Sequence, residues 1–245
     1  MKNTKGEASI FDKDIIISIL ARIKKKTGTQ GVKTISFPRL FKILDKREKI
    51  FVKKFLKMDP REYGLKNKFL GTPSVPKNLV LIKDQFYVVR RKRRIIEEQY
   101  VPRPVYDAYA QLNQALEKET GKKLLINSGY RSPAYQTIIF FEYLKFYGFD
   151  VSKTARRVAF PGYGEHCVPQ RQALDFVTTE GIPTDERPLD FEKTPEYRWL
   201  KKNAHRFGFA LSYPRKNPEG MMHEPWHWRF EKKPSSKIES GRNPR

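Results

Sequence analysis

Two short stretches constrain the chain more than any other part of it. In Ala173-Leu174-Asp175-Phe176-Val177, a period of two puts Leu174 and Phe176 on one face of a strand and Asp175 on the other. In Trp226-His227-Trp228-Arg229, both tryptophans share a face and His227 shares the opposite one with Arg229. Each stretch buries an apolar face and presents one ligand-type side chain on the other. Around them the pattern alternates between helical and extended. Residues 12–26 predict a helix, with Asp12 as its cap, Ile15, Ile16, Ile19 and Ile23 at helical spacing, and Lys24-Lys25-Lys26 before Gly28. Residues 37–58 predict a second, with Leu40, Phe41, Leu44, Phe51, Phe55 and Met58 on one stripe and basic residues opposite. Further helices are expected from Pro104 to Gly121, from Ser132-Pro133 to about Tyr147, and from Thr194-Pro195 to Gly208. Strands are expected at 79–82, 86–89, 124–126, 173–177, 209–211 and 226–230. Without strict βαβ alternation, this order predicts an α+β fold with a helical, basic N-terminal region.

The 245 residues suffice for one large domain, or one domain with a smaller companion, and 38% hydrophobic content supports a core. No apolar run approaches the roughly 18–20 residues of a membrane span. Ile15 to Leu20 is too short, and too charged at its head, for a secretory segment, so no signal peptide is visible. The single cysteine, Cys167, excludes a disulfide framework and a multi-cysteine zinc knot. Gly64, Gly71, Pro73, Ser74 and Pro76 interrupt periodicity and suggest a boundary near 71–77. The expected organisation is a basic region 1–77, a domain 78–231 and a disordered tail 232–245. Residues 1–100 hold 26 Lys+Arg against 10 Asp+Glu, +16 of the chain's +23. Such a surplus attracts polyanions, including a polyanionic envelope surface, or simply keeps a surface solvated. No motif of a specific nucleic-acid binder accompanies it.

The chain has four histidines. His166 lies in the glycine-marked loop Gly162-Tyr163-Gly164-Glu165-His166. His166, Asp175 and His227 would make a His₂Asp zinc site with an open fourth position, the arrangement of catalytic rather than structural zinc. Spacing alone leaves a plainer alternative, in which Asp175 and His227 lie on the wet side of a sheet. Glu224 stands before Pro225, which interrupts any ladder, so it can turn from an entering loop toward a metal and serve as general base. Arg131, between a strand end and a helix cap, can bind a carboxylate or a developing oxyanion, or form a surface ion pair.

Taken in order, Ser128-Gly129-Tyr130-Arg131-Ser132, Pro161-Gly162-Tyr163-Gly164-Glu165-His166, Ala173-Leu174-Asp175 and Glu224-Pro225-Trp226-His227-Trp228-Arg229 resemble the VanY-type D-alanyl-D-alanine metallo-carboxypeptidases. That family sits within a wider group of lysostaphin-like and hedgehog-like zinc domains. The resemblance covers about residues 78–231. It implies a small antiparallel sheet flanked by helices and zinc held by His166, Asp175 and His227. It also implies Glu224 as catalytic base and Arg131 steadying the substrate carbonyl. His205 matches a structural helix position, and His223 matches nothing catalytic. Two departures stand out. Gly164 replaces the family's usual serine, and eight residues rather than six separate His166 from Asp175, without the usual glycine. The expected activity is that of a zinc peptidase on peptidoglycan stem peptides, releasing a terminal D-alanine. The alternatives are an endopeptidase of the same group or a non-catalytic envelope-binding module. Such a substrate implies action in the cell envelope, outside the cytoplasmic membrane.

Overall fold

The computed structural model describes residues 12–27, 31–184 and 187–231. The tail expected at 232–245 lies outside them. Helix α1 (Lys13–Thr27) buries Ile16, Ile19 and Ile23. The single helix expected over 37–58 is two helices, α2 (Phe37–Ile43) and α3 (Lys46–Phe55). The break has a local cause. The Asp45 carboxylate accepts the Glu48 amide at 2.9 Å, and the Glu48 side chain accepts the Asp45 amide at 2.9 Å. This reciprocal capping box starts a new helix. The apolar stripe survives the break, since Leu40, Leu44, Phe51 and Phe55 are all buried.

Strands β1 (Leu79–Ile82) and β4 (Gln99–Pro102) pair antiparallel. Between them, β2 (Phe86–Val89) and β3 (Lys92–Ile95) form a tight hairpin, so the basic cluster 90–94 is its turn and second strand. The main sheet has four antiparallel strands in the order β5 (Leu124–Ser128), β6 (Ala173–Thr178), β8 (His227–Phe230), β7 (Phe209–Leu211). One face packs on α4 (Arg103–Thr120) and α7 (Pro195–Asn203), with Leu174, Phe176, Phe209 and Trp228 among the buried residues. Alternation along β6 and β8 therefore runs as the sequence predicts.

A second core gathers around α5 (Pro133–Phe146), whose Ile138, Phe140, Phe141 and Leu144 are buried. The N-terminal helices belong to this core. Phe55 lies 5.0 Å from Phe140 and 4.8 Å from Phe141, ring centre to ring centre. The Ser132 amide and hydroxyl, at the cap of α5, donate to the carbonyls of Lys33 and Ile35 at 2.9 and 2.6 Å. The chain thus crosses 71–77 without dividing its core. One further helix, α6 (Val151–Arg157), capped by Asp150, has no counterpart among the sequence expectations.

Candidate metal centre

The polar face of β6 and β8 lies at the seam between the two cores. Asp175 and His227 are direct neighbours across the ladder. His166 reaches them from a 3-10 turn at Glu165–Cys167. The longer His166–Asp175 connection folds into this turn and a second one at Pro169–Arg171, so the extra residues leave both side chains in place. His166 Nε2 lies 3.2 Å from Asp175 Oδ2, and His227 Nδ1 lies 2.9 Å from Asp175 Oδ1. One candidate ligand atom from each of the three residues lies within 4.8 Å of the others, and all three residues are buried.

The outer contacts fit a cation at this cluster. His166 Nδ1 meets the Gly129 carbonyl at 2.8 Å, and a carbonyl only accepts, so the proton is on Nδ1 and the Nε2 lone pair faces inward. His227 Nε2 meets Glu165 Oε2 at 3.0 Å, which turns its Nδ1 toward Asp175 in the same way. Glu165 is fixed in turn by Ser212, whose hydroxyl donates at 2.5 Å. Electrostatics point in the same direction. Burial opposes charge on Asp175, yet His166 and His227 hold its carboxyl well below the usual range. Burial also opposes charge on His227, but hydrogen bonds to Asp175 and Glu165 overcome it and raise the imidazole to about 10. Burial and nearby Arg131 press His166 down to about 4. A divalent cation would replace the counter-charge that the His227 proton supplies. Two imidazoles and one carboxylate are the three-ligand set of a catalytic zinc, and the donors present fit it.

A cavity of about 450 Å³ opens beside the cluster. Glu224 and Arg131 both line it. Arg131 donates to Ser128 Oγ at 2.8 and 3.0 Å and lies 3.3 Å from Asp175 Oδ2, so its ion pair is within the site and not on the surface. Glu224 is buried, and its Oε2 lies 3.8 Å from His227 Nδ1. Burial raises its carboxyl above the ordinary value although Arg157 opposes the shift.

Arg157 is the residue that sequence reasoning missed. From the end of α6, its Nη1 donates to Glu224 Oε1 at 2.5 Å, and its guanidinium lies 5.2 Å from the centre of the Trp226 ring. The Asp150 cap could have revealed the helix, but nothing in the sequence announces a pair 67 positions apart. Lys33 of the N-terminal region also lines the cavity. Cys167 is fully buried, and burial pushes its thiol up to about 12, in keeping with a packing role. His205 sits exposed on a 3-10 turn rather than within a regular helix. His223 bridges the Tyr213 carbonyl and Glu192, each at 2.9 Å.

The fold and this cluster define an α+β chain organised around a candidate mononuclear metal centre. Residues 98–233 match the model of the VanY family, described as D-alanyl-D-alanine carboxypeptidase. That stretch is more than half of the chain, and the chain belongs to the VanY family. It is 33% identical over 147 residues to YodJ of Bacillus subtilis (strain 168), covering 58% of this chain and 50% of that protein. It is 27% identical over 149 residues to a D-alanyl-D-alanine carboxypeptidase of Enterococcus faecium, covering 59% and 42%. The chain thus spans half or less of the length of these curated relatives. Among solved structures, the LdcB LD-carboxypeptidase is 29% identical with a TM-score of 0.49, covering 63% of this chain and 68% of that one. A vancomycin resistance D,D-pentapeptidase VanY in complex with Zn(II) is 25% identical with a TM-score of 0.43, covering 60% and 78%.

Proposed function

We propose that this chain is a zinc-dependent peptidase that releases a terminal D-alanine from peptidoglycan stem peptides. The observation that carries the reading is the convergence of His166, Asp175 and His227 beside Glu224 and Arg131 in one cavity, in a member of the VanY family. Zinc at the cluster would help water lose its proton near neutral pH and would polarise the scissile carbonyl. Glu224 takes the proton and passes it to the leaving amine. Arg157 holds one Glu224 oxygen and leaves the other facing His227. Arg131 offsets charge as the carbonyl oxygen becomes an oxyanion. His166 and His227 keep their inward lone pairs because Gly129 and Glu165 fix their outer nitrogens.

The substrate places the reaction in the cell envelope. No helix among the described residues is long and apolar enough to cross a membrane. The contact between region 1–77 and a polyanionic envelope surface is supported by exposed lysines on α1 and α3, Lys24, Lys25, Lys26, Lys46, Lys53 and Lys54 among them. Sedimentation with envelope material that weakens as salt shortens the screening length tests that contact.

Incubation of the zinc-loaded chain with a stem pentapeptide, followed by mass analysis of the fragments, tests the reading. Release of free D-alanine is expected. Cleavage inside the stem would make the chain an endopeptidase, and tight binding without any product would make it a non-catalytic module.

A further inference from the structure

The β2–β3 hairpin carries features that the reaction does not use. Its turn is Arg90-Arg91, with φ of 50° and 62°. A two-residue turn with positive φ at both positions favours Asn-Gly, and arginine is strained there. The chain therefore places two guanidinium groups at the tip against local preference. They are followed by Lys92, Arg93 and Arg94 on a strand exposed along its whole length. Among the described residues, none of these five cations has a carboxylate within ion-pair distance. The outward face of the hairpin is apolar. Phe86, Val88 and Ile95 are 41%, 44% and 75% exposed, and the Arg93 guanidinium lies 3.8 Å from the centre of the Phe86 ring.

The hairpin is also firmly seated. Val88 donates its amide to the Thr179 carbonyl at 2.9 Å, and a Cβ placed on Gly181 would come within 2.5 Å of Tyr87 and 2.8 Å of Val89. Its tip and outward face are thus held in one orientation, while Tyr87 and Ile96 line the cavity beneath.

We propose that this hairpin docks on an anionic lipid surface, with arginines meeting headgroup phosphates and Phe86 and Val88 entering the interface. Charge complementarity selects an anionic partner. Apolar side chains interleaved with the cations favour a lipid interface over a soluble polymer, which offers them nothing to enter. The proposal goes beyond the hydrolytic reading and does not depend on it.

The test is co-sedimentation of the full chain with phosphatidylcholine vesicles prepared with and without phosphatidylglycerol. Three proteins are compared: wild type, R90N/R91G and F86S/V88S. Asn-Gly suits the turn geometry, so R90N/R91G removes two cations without adding strain. Wild type should partition onto the phosphatidylglycerol vesicles and not onto phosphatidylcholine alone. R90N/R91G should weaken that partition by about tenfold or more. F86S/V88S should also weaken it, while leaving retention on immobilised polyphosphate unchanged. Cleavage of a small soluble stem peptide, where present, should be the same for all three. Equal partition of wild type and R90N/R91G would overturn the proposal. So would unchanged partition of F86S/V88S, because charge alone would then explain binding and a polyanionic polymer would be the partner.

Discussion

At the scale of single residues, the site depends on which side chains lack any substitute. If His166, Asp175 and His227 hold the metal, the purified chain should carry close to one zinc, and alanine at any of the three should strip it. Elemental analysis reads this directly, and full occupancy in all three variants would end the assignment. Glu224→Gln keeps the shape of the site but removes the carboxylate proposed as base. It should retain zinc while losing hydrolysis by on the order of 10²–10⁴. Arg157 makes a different kind of contribution. Its partner is buried, so Arg157→Ala leaves a carboxylate without its cation, a loss of about 3–5 kcal/mol for a fully buried pair. Arg157 keeps 22% of its side chain exposed, so the lower end applies. Denaturant unfolding should show that loss and turnover should fall, with Arg157→Lys restoring part of both. A wild-type rate in Arg157→Ala would free Glu224 from the positioning assigned to it. The difference in legibility between these residues is physical. The shared strand face of Asp175 and His227 is legible because alternation along a strand is a local signal. Arg157 and Glu224 meet only through packing of α6 against the loop before β8.

At the scale of elements, the N-terminal helices show where a periodic pattern misleads. Leu40, Leu44, Phe51 and Phe55 form a stripe that continues across the end of α2, so periodicity joins two helices into one. The Asp45-Lys46-Arg47-Glu48 capping box was in the sequence but is outweighed by that stripe unless caps are weighed against period. The same box ties α3 to α1. Glu48 is 2% exposed and accepts from Ser18 at 2.7 Å, and Arg22 Nε lies 2.8 Å from it. Asp45→Ala should therefore lower stability by about 1 kcal/mol. The midpoint of a urea unfolding curve should shift without a change of slope, and an unchanged midpoint would mean that packing alone sets the break. Most of the other helices were readable because each carries its own stop or start, such as Ser132-Pro133, Thr194-Pro195, Gly121 or Gly208. Strand β4 was not. Its Gln99 and Pro102 are buried only because β1 and Gly129 lie against this stretch, and composition carries no trace of such a partner.

At the scale of the whole molecule, the charge map and the core map disagree, and the core decides what can be separated. The basic surplus lies in the first 100 residues and invites a reading of 1–77 as an attached tether. Yet α5 is apolar around most of its circumference and needs cover on the side facing α1 and α3. Phe140, Phe141 and Leu144 are all fully buried there. Burial of such side chains contributes about 1.5–3 kcal/mol each. Exposing three of them costs about 5–9 kcal/mol, against a total stability of about 5–15 kcal/mol for an ordinary domain. The cut would also remove the carbonyls of Lys33 and Ile35 that Ser132 binds, one residue after Arg131, together with Lys33 from the cavity wall. A fragment of residues 78–231 should accordingly be insoluble, or bind a hydrophobic dye and melt without cooperativity, while the full chain shows one sharp transition. It should lose cleavage of small soluble peptides along with its packing, in contrast to what a detachable tether predicts. Cooperative unfolding of that fragment with full activity would show that α5 finds another cover, and the N-terminal helices would then be an accessory after all.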